Sequence, residues 1–151
     1  MGFHVMGVTA GRKDSNCEIL LKEALLACQE QGAQVRMINL KDYDILDCDG
    51  CTSCTIGMSM CKNVGCPLVK MDAKKKIMDV MLEQDAVIFA APTYDLMPSS
   101  LFLKFMHRNL AYESAFLTKI GAIAPRDRVG GLIAVGGSTR SWQSMALECM
   151  Q

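Results

Sequence analysis

The sequence predicts an α/β protein built on a doubly wound parallel sheet with helices on both faces. Short apolar segments alternate along the chain with helical patterns, and the apolar segments are almost free of charged residues. Strands of this kind are typical of a parallel sheet that is buried on both faces. The length of 151 residues fits one core, so we predict a single domain over residues 1–151.

The periodicity of the apolar residues gives the order of the elements. The predicted strands are residues 3–9, 34–40, 86–91 and 131–135. The predicted helices are residues 16–32, 71–83 and 98–110, with another that begins near Ser141. This order fits a flavodoxin-type sheet with strand order 2-1-3-4-5. A fifth strand would follow Gln151, so we expect the order 2-1-3-4, with the fifth strand missing from this chain.

Composition and charge exclude several classes of function. Lysine plus arginine equals aspartate plus glutamate in number, so no basic surface for a nucleic acid is expected. No apolar segment reaches the roughly 18–20 residues of a membrane span, and the N-terminal residues lack the charged start of a signal peptide. We therefore expect a cytoplasmic protein. In that compartment its eight cysteines indicate metal or redox chemistry rather than disulfides.

Most of the cysteines lie in one long irregular segment, residues 41–70, which is inserted after the second strand. They are Cys48, Cys51, Cys54, Cys61 and Cys66. Two consecutive CxxC spacings place three thiolates around one centre, which favours a [4Fe–4S] cluster. Two alternatives stay open. Separated pairs of cysteines would suit a tetrahedral zinc ion but leave Cys48 unused, and the cysteines could also be free thiols.

The loop between the first strand and the first helix is a candidate phosphate site. Such a loop points backbone N–H groups and a helix N-terminus at an anion. The candidate ligands are Thr9, Gly11, Arg12, Lys13, Ser15, Asn16 and Cys17. The loop matches neither the dinucleotide fingerprint nor the Walker A motif, and an ordinary capped turn is the alternative. We expect Cys17 to offer its backbone N–H, and its place at the helix start to lower the pKa of its thiol.

Two further polar loops follow the third and fourth predicted strands. Their candidate residues are Pro92, Thr93, Tyr94, Asp95, Leu96, Met97, Gly136, Gly137, Ser138 and Arg140. Ligands of doubly wound sheets bind beyond the carboxyl ends of the strands, so the three loops predict a single site. No residues pair as acid and base or as nucleophile and base, and His4 and His107 are interpreted as structural or surface residues. We therefore assign no catalytic residue and expect a cofactor to supply the chemistry.

Taken together, these loops resemble those of the iron–sulfur flavoproteins in the NADPH-dependent FMN reductase superfamily. Arg12-Lys13 with Ser15-Asn16 resembles the phosphate loop of that family, and Pro92-Thr93-Tyr94 resembles its turn beside the isoalloxazine. Gly136-Gly137-Ser138 with Gln143 resembles its glycine-rich segment. Residues 101–108 resemble the helix after the turn. The similarity spans nearly the whole chain, with departures at Gly11, where proline is usual, and at His107, where an acid is usual.

The resemblance implies FMN at the three loops and a [4Fe–4S] cluster in segment 41–70. It implies an oxidoreductase that passes electrons from a ferredoxin-like donor, or from NAD(P)H, through the cluster to FMN and on to a small-molecule acceptor. A pure electron-transfer module and an NAD(P)H-dependent FMN or quinone reductase with structural zinc are the alternatives. Cys66, just before Pro67, matches the family register of the fourth cluster ligand, whereas Cys61 matches its spacing.

The resemblance also implies a homo-oligomer, either a dimer or a tetramer. Segment 41–70 is too long for an ordinary connection between a strand and a helix. It carries Ile56, Met58 and Met60, with no helix or strand predicted to bury them. Exposed apolar side chains of this sort often mark an interface between subunits. A monomer whose segment 41–70 folds over its own flavin is the alternative.

Overall fold

The computed structural model describes residues 2–54, 66–109, 128–137 and 143–151. The chain divides into two compact units. The first unit comprises residues 1–43, 83–102 and 127–151, and the second comprises residues 44–82 and 103–126. That residues 1–151 form a single domain stays a prediction.

The first unit is built on a parallel sheet. Its strands are β1 (His4–Thr9), β2 (Gln34–Asn39), β3 (Ala86–Tyr94) and β5 (Val129–Val135), and a short strand, β4 (Met97–Pro98), runs antiparallel to the end of β3. The parallel strands lie in the order β2-β1-β3-β5. This confirms the predicted order 2-1-3-4, in which the fourth predicted strand is β5.

Helix α1 (Asn16–Glu30) supplies one side of the core of this unit. Cys17, Leu21 and Leu25 recur at every fourth position, so they share the face of the helix that is buried against the sheet. Val5, Ala86 and Ala90 meet them from β1 and β3. A separate edge-to-face contact, with ring centroids 5.6 Å apart, joins Phe89 to Phe102.

The third strand is longer than predicted, because it does not end at Pro92. Thr93 and Tyr94 pair with Pro98 and Met97, which makes a hairpin. Asp95 and Leu96 form its turn with φ values of 46° and 69°, the left-handed backbone that two-residue hairpin turns require. Pro92 has no N–H to donate, but its carbonyl accepts from the Ser99 N–H at 3.0 Å. The cross-strand pairing therefore overrides the proline as a strand terminator.

The second unit contains helix α2 (Lys74–Leu82) and a 3₁₀ turn, Pro67–Lys70. Helix α3 (Ser100–Met106) has its last four residues here. Helix α2 begins three residues later than predicted, because the Asp72 carboxylate accepts from the Lys74 N–H at 3.3 Å and favours a turn at its own position. Among the described residues of the unit, the buried apolar side chains are Ile45, Ile77, Met78 and Phe105.

The last described helix is α4 (Gln143–Met150), in the first unit. A helix was predicted from about residue 141. Residues 138–142 lie outside the described residues, and the helix is present from Gln143 onward. No helix in the described ranges is long and apolar enough to cross a membrane.

Candidate cofactor sites

Three of the predicted loops leave the sheet of the first unit at the same edge. β1 and β3 are parallel neighbours with Thr9 opposite Ala90, and β3 and β5 are parallel neighbours with Pro92 opposite Val135. The loops after Thr9 and Val135, and the hairpin at the end of β3, therefore start from one side of the sheet. That edge, the carboxyl end, is where ligands of this architecture bind.

The loop after β1 is held in shape by its own side chains. The Gly11 N–H donates to Thr9 Oγ1 at 3.1 Å, and Thr9 is fully buried. Asp14 takes a left-handed backbone with a φ of 55°. The Ser15 hydroxyl caps no backbone group of α1, and its buried oxygen has no hydrogen-bond partner among the described residues. A buried hydroxyl without a partner costs free energy, so it is a group that a bound ligand would satisfy.

Gly11 lies where a side chain would not fit. A Cβ at this position would lie 2.8 Å from Ser15 Oγ and 2.9 Å from Cys17 Cβ. The carbonyl of Gly11 accepts a hydrogen bond from Asn39 Nδ2 at 3.1 Å. Asn39 is the last residue of β2, and sequence reasoning missed it, although a polar residue at the end of a neighbouring strand was a usable signal.

The pKa of the Cys17 thiol is shifted in the direction opposite to the one expected. The side chain is only 2% exposed, and this burial raises its pKa, with a smaller opposing effect from a backbone hydrogen bond. The predicted lowering of the pKa by the helix start is therefore wrong, because desolvation of the thiolate outweighs it. A role for the backbone N–H of Cys17 in binding phosphate stays a prediction.

Glu18 is a second residue that sequence reasoning missed, although Ser15 and Glu18 have the spacing of a capping box. Its side chain is 6% exposed and lies 2.6 Å from Lys22 Nζ. It also accepts from the Asp14 N–H at 3.3 Å. The hydrogen bond from Lys22 is the main reason that the pKa of Glu18 is lowered. The carboxylate of Glu18 thus holds the backbone of Asp14 in its left-handed conformation.

Replacing Glu18 with glutamine is expected to remove a stabilisation that depends on pH. A carboxyl whose pKa is lowered by folding stabilises the fold above its unfolded pKa of about 4.3, and this is lost as the pH falls through the folded value. The melting temperature of Glu18→Gln should therefore lie below that of the wild type at pH 7 and approach it near pH 3. Glu23→Gln, an exposed acid on the same helix, is the control. A constant difference across this range would contradict the role of the carboxylate charge.

The other two loops also present groups that a ligand could use. Thr93 Oγ1 is buried without a hydrogen-bond partner among the described residues. Tyr94 is 62% exposed, so its ring is free to stack on a planar ligand. A Cβ at Gly137 would meet no described atom within 4 Å, which leaves room for a ligand to approach the backbone. The predicted candidates Ser138 and Arg140 lie outside the described residues.

Arg12 and Lys13 are exposed on the loop after β1, as a phosphate-binding role requires, and Asn16 is exposed at the first position of α1. Asp95, Leu96 and Met97 form the tip and return of the hairpin, and all are exposed. These roles, together with those of Pro92 and Gly136, stay predictions.

Four of the predicted metal ligands line one pocket in the second unit. The pocket has a volume of about 60 Å³ and is lined by Cys48, Cys51, Cys54 and Cys66, with Asp49, Thr52, Pro67, Leu68, His107 and Arg108. None of these four cysteines forms a disulfide with another described residue. Among the described residues, no three side chains of histidine, cysteine, aspartate or glutamate come close enough to hold a metal ion. Cys61 lies outside the described residues.

Two residues of this pocket lie outside the predicted cluster-binding segment 41–70. His107 and Arg108 follow helix α3, and both line the pocket beside the cysteines. Arg108 is 4% exposed, whereas His107 is exposed. The similarity of residues 101–108 to a family helix was a signal that this segment matters. It did not indicate which residues reach the cysteines, since they are more than 40 positions away in the sequence.

A sequence model of the NADPH-dependent FMN reductase family matches residues 5–151. The chain belongs to this family. The predicted family is thereby confirmed, and with it a flavoprotein oxidoreductase as the class of protein. The family match covers both candidate sites, the three loops and the cysteine pocket.

Relatives within this family share a name. An iron–sulfur flavoprotein of Methanocaldococcus jannaschii is 30% identical over 146 residues, which cover 95% of this chain and 67% of that protein. An iron–sulfur flavoprotein of Methanosarcina thermophila is 25% identical over 138 residues, which cover 91% of this chain and 64% of that protein. The chain therefore spans about two thirds of the length of these curated relatives.

Solved structures confirm the flavodoxin-like fold. An FMN-dependent NADH-azoreductase from Bacillus anthracis, in complex with FMN, has a TM-score of 0.64 at 12% identity, and the match covers 97% of this chain and 78% of the azoreductase chain. A flavone reductase has a TM-score of 0.63 at 22% identity, and the match covers 91% of this chain and 44% of the flavone reductase chain. At these identities the likeness establishes the fold alone.

Proposed function

We propose that this chain is an iron–sulfur flavoprotein oxidoreductase. It would pass electrons from a ferredoxin-like donor, or from NAD(P)H, through a [4Fe–4S] cluster to FMN and on to a small-molecule acceptor. The observation that carries the proposal is the pocket shared by Cys48, Cys51, Cys54 and Cys66, in a chain that belongs to an FMN reductase family. The curated relatives named iron–sulfur flavoproteins support it.

The first unit offers a site whose chemistry fits FMN. The loop after β1 would hold the phosphate, since Arg12 and Lys13 are cationic and the Ser15 hydroxyl is buried and unsatisfied among the described residues. Thr93 and Tyr94 would contact the isoalloxazine from the hairpin. The backbone at Gly137 would approach the flavin closely. The side chains bind and orient the cofactor, and none of them is placed as an acid or a base.

The second unit offers a donor set that fits an iron–sulfur cluster. Four cysteines that are not in disulfides line one pocket; such clusters take four cysteine ligands, and zinc accepts the same set. Because no three of them converge in the described residues, the cysteines would have to close around the cluster as it assembles. When bound, the cluster would supply single electrons, and FMN would convert between one- and two-electron steps.

Metal and flavin analysis of the chain purified without oxygen tests this proposal. About four iron and four sulfide per chain are expected, together with non-covalent FMN that denaturation releases. One zinc per chain without iron would favour the NAD(P)H-dependent FMN or quinone reductase with a structural zinc. Folded chain that takes up neither iron nor FMN would overturn the proposal. A flavin that accepts electrons but reduces no acceptor would favour the pure electron-transfer module.

The fourth ligand can be identified in the same preparation. We expect Cys66→Ala to lose the cluster, because Cys66 lines the pocket with the other three cysteines, whereas Cys61→Ala should keep about four iron per chain. Cys28→Ala, on the opposite end of helix α1 from the phosphate loop, is the control for loss of any cysteine. Loss of iron in Cys61→Ala alone would reverse the assignment.

The subunit arrangement also belongs to the proposal. We expect a dimer or a tetramer, which light scattering of the cofactor-loaded chain would measure. The residues behind this expectation, Ile56, Met58 and Met60, lie outside the described residues. A stable monomer that still reduces its flavin would show that no subunit sharing is required.

A further inference from the structure

The described residues of the second unit include two buried cationic side chains. Lys74 is fully buried in helix α2, where its Nζ donates to the Phe105 carbonyl and to Asn109 Oδ1, the latter at 2.8 Å. The same ammonium group lies 4.7 Å from the centre of the Phe105 ring. All of these partners are neutral, so they solvate the charge of Lys74 without balancing it.

Arg108 is the second buried cation, and its side chain is 2% exposed. It pairs with Asp72, whose own side chain is fully buried. A second hydrogen bond runs to Asp72 Oδ1 at 3.3 Å, and a third to the Leu46 carbonyl at 3.2 Å. The Nε atom of Arg108 is buried and has no hydrogen-bond partner among the described residues.

These three charges do not cancel. Lys74 and Arg108 are cationic and Asp72 is anionic, so together they carry one net positive charge at neutral pH. The Lys74 N–H and the Leu46 N–H also donate to the Asp72 carboxylate, which leaves it well satisfied by Arg108 and the backbone. Buried charges are normally paired. Asp49 also lines the cysteine pocket, but it is exposed to solvent. Among the described residues, Asp72 is thus the one buried acid that faces these cations, and an anion held in the pocket would supply a second counter-charge.

The cysteine pocket is placed to hold that anion. Arg108 lines the pocket together with the four cysteines. Lys74 does not line the pocket itself, but its Nζ contacts Asn109 Oδ1 at 2.8 Å, and Asn109 is the residue that follows Arg108 in the chain. Arg108 therefore borders the cysteines directly, and the buried ammonium group of Lys74 lies against the residue next to it.

We propose that Lys74 and Arg108 are the counter-charges of an iron–sulfur cluster bound by these cysteines, and that they raise its reduction potential. The inference rests on the proposed function, since it needs a cluster in the pocket. A cluster ligated by four thiolates is anionic and becomes more negative when it takes up one electron, with no bond formed or broken. A positive charge stabilises the reduced form more than the oxidised form, because the reduced form carries one more negative charge. Burial of that positive charge in a medium of low dielectric constant strengthens the effect.

A purely structural role makes a different prediction. If Lys74 only satisfies the Phe105 carbonyl and Asn109, its loss changes the stability of the unit but leaves the potential of the cluster unchanged. The potential is therefore the quantity to measure. Both residues would tune the cluster from beside its ligands and would not act as catalytic residues.

The experiment compares two adjacent lysines of helix α2. Lys74→Met removes the buried charge, while Lys75→Met removes the same charge from a side chain that is 51% exposed and pairs with Asp79 at 2.5 Å. The cluster-loaded chain is titrated with dithionite, and the reduced cluster is counted by electron paramagnetic resonance. At a given ambient potential, the ratio of reduced to oxidised cluster should fall at least tenfold in Lys74→Met, which is about 59 mV for one electron. In Lys75→Met it should change less than threefold.

Arg108→Lys separates charge from hydrogen-bond geometry, because it keeps the positive charge. At the same ambient potential, the ratio of reduced to oxidised cluster in this variant should stay within threefold of the wild-type ratio. If Lys74→Met holds no cluster, Lys74→Gln, which can still donate to the Phe105 carbonyl, is judged by the same tenfold criterion. An unchanged potential in a cluster-loaded Lys74 variant, or equal shifts of the potential in the Lys74 and Lys75 variants, would overturn this inference and leave the proposed function standing. A wild-type chain that never binds a cluster would overturn the proposed function with it.

Discussion

Asp72→Asn is expected to lower the free energy of unfolding by about 3–5 kcal/mol, because it leaves the guanidinium of Arg108 buried without a counter-charge. The side chains of Asp72 and Arg108 are 0% and 2% exposed, so water cannot replace the lost partner. The carboxylate also accepts from the Leu46 N–H at 2.8 Å, which ties residues 46 and 72 together. Urea unfolding of the cofactor-free chain, followed by circular dichroism, measures the effect.

The control for this prediction is a pair of the same type on the surface. Asp79→Asn removes the partner of Lys75, and these side chains are 42% and 51% exposed. Pairs of this kind, four residues apart on a helix, contribute only about 0.3–0.5 kcal/mol. The double variant Asp72→Asn with Arg108→Met should recover part of the loss, since it removes the stranded charge as well. Equal small losses in Asp72→Asn and Asp79→Asn would show that the buried pair is not needed for stability.

Gly11→Ala is expected to weaken FMN binding by about tenfold or more. The added Cβ would lie 2.9 Å from Cys17 Cβ, a backbone-proximal atom that cannot swing away, and 2.8 Å from Ser15 Oγ. Overpacking of this sort costs about 1–3 kcal/mol, and each 1.4 kcal/mol of lost binding energy is about tenfold in Kd. The loop must shift to admit the methyl group, which displaces the hydroxyl and the N–H groups that would face the phosphate.

Quenching of FMN fluorescence by the apoprotein gives the Kd of each variant. Gly130→Ala in β5 is the matched control, because a Cβ there would meet no described atom within 4 Å. Its Kd should equal that of the wild type. Melting temperatures of both variants separate a local effect on the loop from a loss of the fold. A wild-type Kd in Gly11→Ala would show that the phosphate does not bind against this loop.

The sequence alone determined the frame of the molecule. Continuous apolar runs such as residues 86–91 carry buried residues on both faces, so hydrophobicity identifies the strands without knowledge of their partners. The CxxC spacings from Cys48 to Cys54 are local as well, and the structure places these three cysteines on one pocket. The loops at the carboxyl edge were predictable for the same reason, as each directly follows its strand.

The tertiary structure decided what depends on contacts between distant residues. The pairing of Thr93 and Tyr94 with Met97 and Pro98 extended a strand that the proline was expected to end. Burial of Cys17 raised a thiol pKa that the helix start was expected to lower. In both cases a non-local interaction outweighed a local preference.

The buried charges were the least predictable feature. Lys74 is the first of three consecutive lysines, yet only Lys75 and Lys76 are exposed. Its burial depends on Phe105 and Asn109, which lie more than 30 positions away in the chain. Arg108 likewise meets Asp72 across 36 positions. A sequence pattern records which residues are charged, but desolvation and pairing arise only when distant segments pack together, so the structure alone reveals them.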